Sequence, residues 1–135
     1  MSDVAPLRLL RLANPLVRAV LDSRVHGILS GRLVLVEYRG PRSGRTFRIP
    51  LRYAPTGDGG IAALAVRPER KQWWRAFALG GSATLTIRGA PVSARGEITA
   101  GEARSAALEA YLARYPRSRR VTEDAAVVVF RPVDG

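Results

Sequence analysis

The chain has 135 residues and a formal net charge of +11, because 22 lysine and arginine side chains stand against only 11 aspartates and glutamates. It contains no cysteine and one histidine, which excludes disulfides, thiol chemistry and a metal site built from several histidines. A positive charge of this size favours anionic partners such as nucleic acid, acidic lipid or an anionic cofactor.

The length suits a single domain (1–135) with one hydrophobic core. We divide it into an N-terminal helical segment (1–30) and a barrel (31–131). The apolar runs are too short to cross a bilayer, and the N-terminus lacks the pattern of a secretion signal. Together with the absence of cysteine, these features predict a cytoplasmic protein.

Residues 6–30 are predicted to form two amphipathic helices, because apolar side chains recur every three or four positions. Asn14 and Pro15 interrupt this pattern and suit the start of the second helix. The basic residues of the segment are Arg8, Arg11, Arg18 and Arg24. A segment that is both amphipathic and basic is compatible with peripheral contact to a membrane surface.

From residue 32 onward the pattern changes to short apolar runs separated by turns, which predicts strands. The predicted strands are 33–38, 45–53, 61–66, 83–88, 92–98 and 125–131. Further helices are predicted over 68–79 and from residue 101 to about residue 115. These elements predict a mainly β protein with helices (α+β): a six-stranded antiparallel barrel with N-terminal, middle and C-terminal-half helices.

Five arginines occur within the fourteen residues 39–52, around a turn that contains glycine, proline and serine. Glycine and serine leave backbone N–H groups to face an anion, and guanidinium groups bind phosphate or carboxylate through paired hydrogen bonds. The turn leads directly into an alternating apolar strand, so the rest of the ligand is expected to be flat and partly buried. This pattern predicts a cofactor site. The second basic cluster, residues 114–120, is interpreted as a solvated turn.

Over residues 13–131 the chain resembles the deazaflavin-dependent nitroreductase family of the flavin-binding split-barrel superfamily. The resemblance rests on Gly40-x-Arg42-Ser43-Gly44-Arg45 between two strands, on Pro50-Leu51 in the next strand, and on Lys71-x-Trp73-Trp74-Arg75-x-Phe77 after the third strand. It implies a split β-barrel that binds the deazaflavin coenzyme F-420 or, in related branches, FMN. It also implies hydride transfer from reduced coenzyme F-420 to an electron-poor small molecule: a quinone, an enone or a nitroarene.

The cofactor-binding residues that the resemblance implies fall into three groups. The phosphate and the tail carboxylates of the cofactor would be bound by Arg39, Arg42, Ser43, Gly44, Arg45 and Arg48. The ring would lie along the next strand at Pro50 and Leu51. The pocket would be closed from the middle helix by Lys71, Trp73 and Trp74, with one of the two tryptophans in the core. No proton donor is evident, so the catalytic residue stays unassigned and water could serve.

The chain departs from the family in its tyrosine-rich segment after the last helix, which is reduced here to Tyr115-Pro116. The alternatives are an FMN-binding split-barrel reductase, a cofactor-binding protein without turnover, and a basic nucleic-acid-binding module. Specific nucleic-acid binding is disfavoured, because the few aromatic residues do not alternate with arginines along one strand. A barrel this small is expected to complete its cofactor pocket as a homodimer.

Overall fold

The computed structural model describes residues 32–133, so the predicted N-terminal helices (6–30) lie outside the described residues. Within this range the strands are β1 (Leu33–Arg39), β2 (Thr46–Arg52), β3 (Ala54–Pro55), β4 (Ile61–Ala65), β5 (Gly81–Ile87), β6 (Ala90–Ile98) and β7 (Ala126–Pro132). The α-helix of the same range is α1 (Gly101–Arg114). Short 3-10 turns occupy Pro68–Arg70, Trp73–Phe77 and Pro116–Val121. No helix in this part of the chain is long and apolar enough to span a bilayer.

The strands form one antiparallel sheet in the order β2-β1-β5-β6-β7-β4-β3. The strands at the two edges, β2 and β3, are separated along the chain by a single residue, Tyr53. Because the chain passes from one edge of the sheet to the other within one residue, the sheet must curl until its edges approach each other. The architecture is therefore a half-barrel.

The concave side of the sheet holds the main hydrophobic core, in which Phe77 and Phe130 are fully buried. Strand β1 alternates between buried and less buried residues, as expected for a strand with one covered face. Strand β7 is buried on both faces, because a second cluster of Ala62, Ala107, Val127 and Val129 joins the sheet to α1. Its continuous apolar sequence reflects this doubly covered position.

The predicted fold class, α+β with a mainly antiparallel sheet, is confirmed, but the predicted number of strands is wrong. The structure has seven strands in the described range, not six. The strand predicted over 45–53 ends as β2 at Arg52, and β3 follows immediately at the opposite edge. A two-residue strand has no periodicity that could predict it, so β3 depends entirely on its pairing with β4.

The middle helix predicted over 68–79 is also wrong, since this segment forms two separate 3-10 turns. Lys71 lies between them with extended backbone angles (φ −117°, ψ 152°), which ends the first turn. The indole N–H of Trp74 donates to the backbone carbonyl of Pro68 (2.8 Å) and holds the two turns together. The helix predicted in the C-terminal half is confirmed as α1.

Gly96 in β6 lies where two aromatic rings press against the sheet. A Cβ atom at this position would lie 2.6 Å from Phe130 Cε2 and 2.8 Å from Phe77 Cδ1. The two rings meet edge to face with their centroids 4.9 Å apart. The sheet therefore requires glycine here so that both rings can approach the backbone.

We expect Gly96→Ala to lower the free energy of unfolding by about 1–3 kcal/mol, because two fully buried rings must shift to admit one methyl group. Urea denaturation followed by tryptophan fluorescence measures this loss. Ser93→Ala, at an exposed position of the same strand, serves as the control and should stay within about 0.5 kcal/mol of the wild type. A Gly96→Ala variant as stable as the wild type would show that the aromatic pair adapts without cost.

Candidate cofactor-binding site

The turn between β1 and β2 is closed by its own hydrogen bonds. The amide of Gly40 donates to the carbonyl of Arg45 (2.8 Å), and the amide of Gly44 donates to the carbonyl of Gly40 (3.0 Å). The Ser43 hydroxyl accepts a hydrogen bond from the amide of Arg45 (3.2 Å). Gly44 has a φ of +70°, which favours glycine. The turn is thus a defined structure in which the amides of Gly40, Gly44 and Arg45 are already used by hydrogen bonds within the chain.

The arginine side chains in and beside the turn differ in their ion pairing. Arg48 donates from Nε to Glu37 Oε1 (2.7 Å), its cross-strand neighbour in β1, so part of its charge is offset within the chain. Arg39, Arg42 and Arg45 are exposed. Neither Arg42 nor Arg45 has an ion-pair partner within residues 32–133. These two guanidinium groups are therefore available to an external anion.

Strand β2 presents two different faces, as its sequence alternation predicts. Ile49 and Leu51 are partly buried and pack against the main core, whereas Arg48 and Pro50 lie on the opposite face. A planar ring that rests on one face of β2 contacts the side chain of Pro50 or that of Leu51, but not both. The prediction that the ring lies along Pro50 and Leu51 stays a prediction, and a ring that reaches both residues would have to follow the backbone of this edge strand.

Phe47 is an exposed aromatic residue on the inner face of β2, with 41% of its surface accessible. Its ring stacks on Tyr38 (centroids 5.5 Å apart, interplanar angle 26°). Tyr38 in turn contacts Phe77 in the core (5.7 Å). Burial raises the pKa of Tyr38, so its hydroxyl stays neutral at physiological pH. Sequence reasoning missed Phe47, although its position directly after the arginine turn was a usable signal.

The two tryptophans have different environments, as adjacent positions predict. Trp73 is buried and contacts Phe77 (centroids 6.3 Å apart). Trp74 is only partly buried, and the Arg75 guanidinium lies 5.5 Å from its ring centroid. Lys71 is exposed, and its ammonium group donates to the carbonyl of Val66 (2.5 Å). Trp74 and Lys71 are thus accessible to a ligand, and Trp73 is a core residue.

These groups are connected through the core. A continuous series of ring contacts runs from Phe47 through Tyr38 and Phe77 to Trp73. Ile49, Leu51 and Trp74 pack against the same cluster from positions that are only partly buried. The inner face of β2 therefore offers a partly open apolar surface, and an arginine turn lies at one end of it. Such a surface can hold a flat ring, while the turn can hold an anionic group.

Comparison with solved structures supports the fold of this chain. One match, described as a domain-swapped dimer, has a TM-score of 0.64 and 15% sequence identity, and it covers 87% of this chain and 100% of that one. Another is the crystal structure of a protein of unknown function from Agrobacterium tumefaciens str. C58, with a TM-score of 0.62 and 17% identity. The match covers 85% of this chain and 54% of the Agrobacterium protein. No protein-family model and no curated protein matches the sequence. At these identities the likeness shows the fold alone.

The different roles of the two tryptophans can be separated by stability. We expect Trp73→Ala to lower the free energy of unfolding by about 3–5 kcal/mol, because it leaves a cavity in the core. Trp74→Ala should cost only about 1 kcal/mol, mainly from its hydrogen bond to Pro68. Denaturation followed by circular dichroism measures both variants without relying on tryptophan emission. Equal losses in the two variants would contradict the assignment of Trp73 alone to the core.

Proposed function

We propose that this protein is a reductase that binds coenzyme F-420, a deazaflavin, and passes its hydride to a quinone, an enone or a nitroarene, with FMN as the alternative cofactor. The observation that carries the proposal is the exposed ring of Phe47, which lies on the inner face of an edge strand directly after the arginine turn. Two arginines of that turn, Arg42 and Arg45, have no ion-pair partner among residues 32–133. A flat ring with an anionic side chain matches both features. The sequence resemblance points to the same ligand class.

The donor set of the turn fits the anionic part of a deazaflavin. Arg42 and Arg45 would bind the phosphate or the tail carboxylates, because a guanidinium group pairs with either through two parallel hydrogen bonds. Arg48 would contribute less, since Glu37 already accepts from it. The amides of Gly44 and Arg45 are used within the turn, so the side chains would supply most of the binding.

The chain itself would bind and orient the cofactor, while the reduced ring supplies the hydride when bound. Phe47 would cover one face of the ring, and Tyr38 holds Phe47 in position through the stacking contact. Ile49 and Leu51 would exclude water from the buried side of the ring. Negative charge that develops on the acceptor needs a hydrogen-bond donor, and solvent at the exposed side of Phe47 can provide one.

We further propose that the protein works as a homodimer. Residues 32–133 cover the inner face of β2 only in part, and we propose that a second copy completes the pocket. One structure with the same fold is described as a domain-swapped dimer. In the half-barrel, β2 and β3 form the two edges of the sheet, and both could pair with a partner strand.

Cofactor affinity tests the site directly. In fluorescence titrations with coenzyme F-420, Arg42→Gln and Arg45→Gln should each weaken binding about tenfold or more, because each removes a charge-assisted hydrogen bond of about 1.5–3 kcal/mol. Phe47→Ala should weaken binding about two- to tenfold through lost stacking. Arg95→Gln removes the same charge from an exposed position of β6 and should bind like the wild type. Equal affinity in all four variants would place the site elsewhere, and tighter binding of FMN in parallel titrations would favour the alternative cofactor.

Turnover separates a reductase from a protein that only binds anions. Reduced coenzyme F-420 should be oxidised by a quinone such as menadione only when the protein is present, and Phe47→Ala should slow this reaction. Absorbance of the oxidised deazaflavin follows the rate. If the cofactor binds but none of the quinones, enones or nitroarenes oxidises it, the protein is a cofactor-binding protein without turnover. DNA binding with a steep salt dependence and no turnover would identify a nucleic-acid-binding module.

A further inference from the structure

A second basic site lies at the end of the half-barrel opposite the arginine turn. It is a pocket of about 460 Å³ lined by Arg32, Arg52, Arg114, Tyr115, Pro116, Arg117 and Ser118. Four of the seven lining residues are arginines, and none is acidic. The lining comes from the start of β1, the end of β2, the C-terminal end of α1 and the 3-10 turn that follows it.

The pocket is separate from the candidate cofactor site. Arg52 ends β2, where it is paired with Leu33 at the start of β1. The arginine turn lies at the other ends of both strands, which are seven residues long. At about 3.3 Å per residue, roughly 20 Å of strand separates the two basic regions. An anion in this pocket is therefore not bound by Arg42 or Arg45.

Tyr115 organises the pocket. Its hydroxyl donates to the carbonyl of Tyr53 (2.6 Å), which fixes the ring against the sheet. The Arg52 guanidinium lies 5.0 Å from the centroid of the Tyr115 ring, and the Arg114 guanidinium lies 5.6 Å from it. Arg114 also faces the ring of Tyr53 (5.2 Å). A guanidinium that stacks on a ring keeps its N–H groups in its own plane, where they can bind an oxyanion. Arg52 is also hydrogen-bonded to the Tyr111 side chain, which uses part of its donor set.

The dipole of α1 explains only part of the positive charge in this pocket. Arg114 lies in the last turn of α1, where the helix dipole favours a cation. That effect does not account for Arg32, Arg52 or Arg117, which belong to other elements. Burial raises the pKa of Tyr115, and the charges of Arg114, Arg52 and Arg32 act in the opposite direction. The backbone of Arg32 also lies close to this hydroxyl, with its carbonyl oxygen 3.4 Å away. Like charges gathered by packing repel one another, and a bound anion would relieve that repulsion.

We propose that this pocket is a binding site for a compact oxyanion with two negative charges. The ligand class is a phosphate monoester or an equivalent small dicarboxylate, held by the guanidinium forks of Arg52 and Arg117 above the Tyr115 ring. The site does not depend on the proposed redox function. It gives the protein a second anionic ligand, either a separate small molecule or a phosphorylated substrate.

The experiment uses the purified full chain without cofactor and titrates inorganic phosphate at constant ionic strength. Binding is followed through the arginine Nε–H signals in ¹H–¹⁵N spectra. We expect saturable shifts, with the dissociation constant raised about tenfold or more in Arg117→Gln. Arg95→Gln, which removes the same charge from an exposed position of β6, should bind phosphate like the wild type. Arg52→Gln should also weaken binding, and Arg117→Gln tests the charge without disturbing the contact between Arg52 and Tyr115.

The same titration is repeated with malonate, a small dicarboxylate, and with chloride, a monovalent anion. Saturable, arginine-dependent binding of phosphate alone would assign the site to phosphate esters, and the same behaviour with malonate would assign it to dicarboxylates. Equal effects of Arg117→Gln and Arg95→Gln would overturn the proposal, as would shifts that follow chloride as strongly as phosphate at the same ionic strength. Because no cofactor is present, failure here leaves the reductase proposal untouched, and failure of cofactor binding leaves this site untouched.

Discussion

Tyr53 connects the parts of this structure that would otherwise be independent. It is the one residue between β2 and β3, so it joins the two edges of the sheet and imposes the curl of the half-barrel. Its amide donates to the carbonyl of Arg32 (3.4 Å), and its carbonyl accepts from the Tyr115 hydroxyl (2.6 Å). Through these contacts the closure of the sheet and the position of the C-terminal end of α1 are coupled. A change at Tyr53 would therefore affect the sheet and the basic pocket together.

Two groups of arginines among the described residues differ physically. In and beside the turn between β1 and β2, the arginines are exposed, and among residues 32–133 only Arg48, in β2, is paired there with a carboxylate. Such exposed cations contribute little to stability, so their density is better explained by a ligand than by the fold. In the pocket around Tyr115, the guanidinium groups of Arg52 and Arg114 lie against aromatic rings. Packing holds them at defined positions there, and this limits the entropy lost when an anion binds.

Sequence alone determined much of the architecture of the described residues. Short apolar runs between turns predict the main strands, alternation predicts the inward face of β2, and a helix from residue 101 to about residue 115 is predicted where α1 lies. The same alternation predicts that Phe47 and Leu51 share one face while Arg48 and Pro50 share the other. The arginine-rich turn could be located as well, because its glycine, proline and serine mark a hairpin. These features are local, so a few neighbouring residues specify each of them.

Tertiary structure decided what local patterns leave open. The middle segment forms 3-10 turns because of extended backbone at Lys71 and the bond from Trp74 to the carbonyl of Pro68, neither of which periodicity reveals. The alternating sequence shows that Phe47 lies on the inner face of β2. Whether that face is covered depends on the packing of other elements around the strand. The basic pocket joins residues that lie more than sixty positions apart, such as Arg52 and Arg117. Only the curl of the sheet and the docking of α1 bring their charges together, because the sequence carries no signal for such distant contacts.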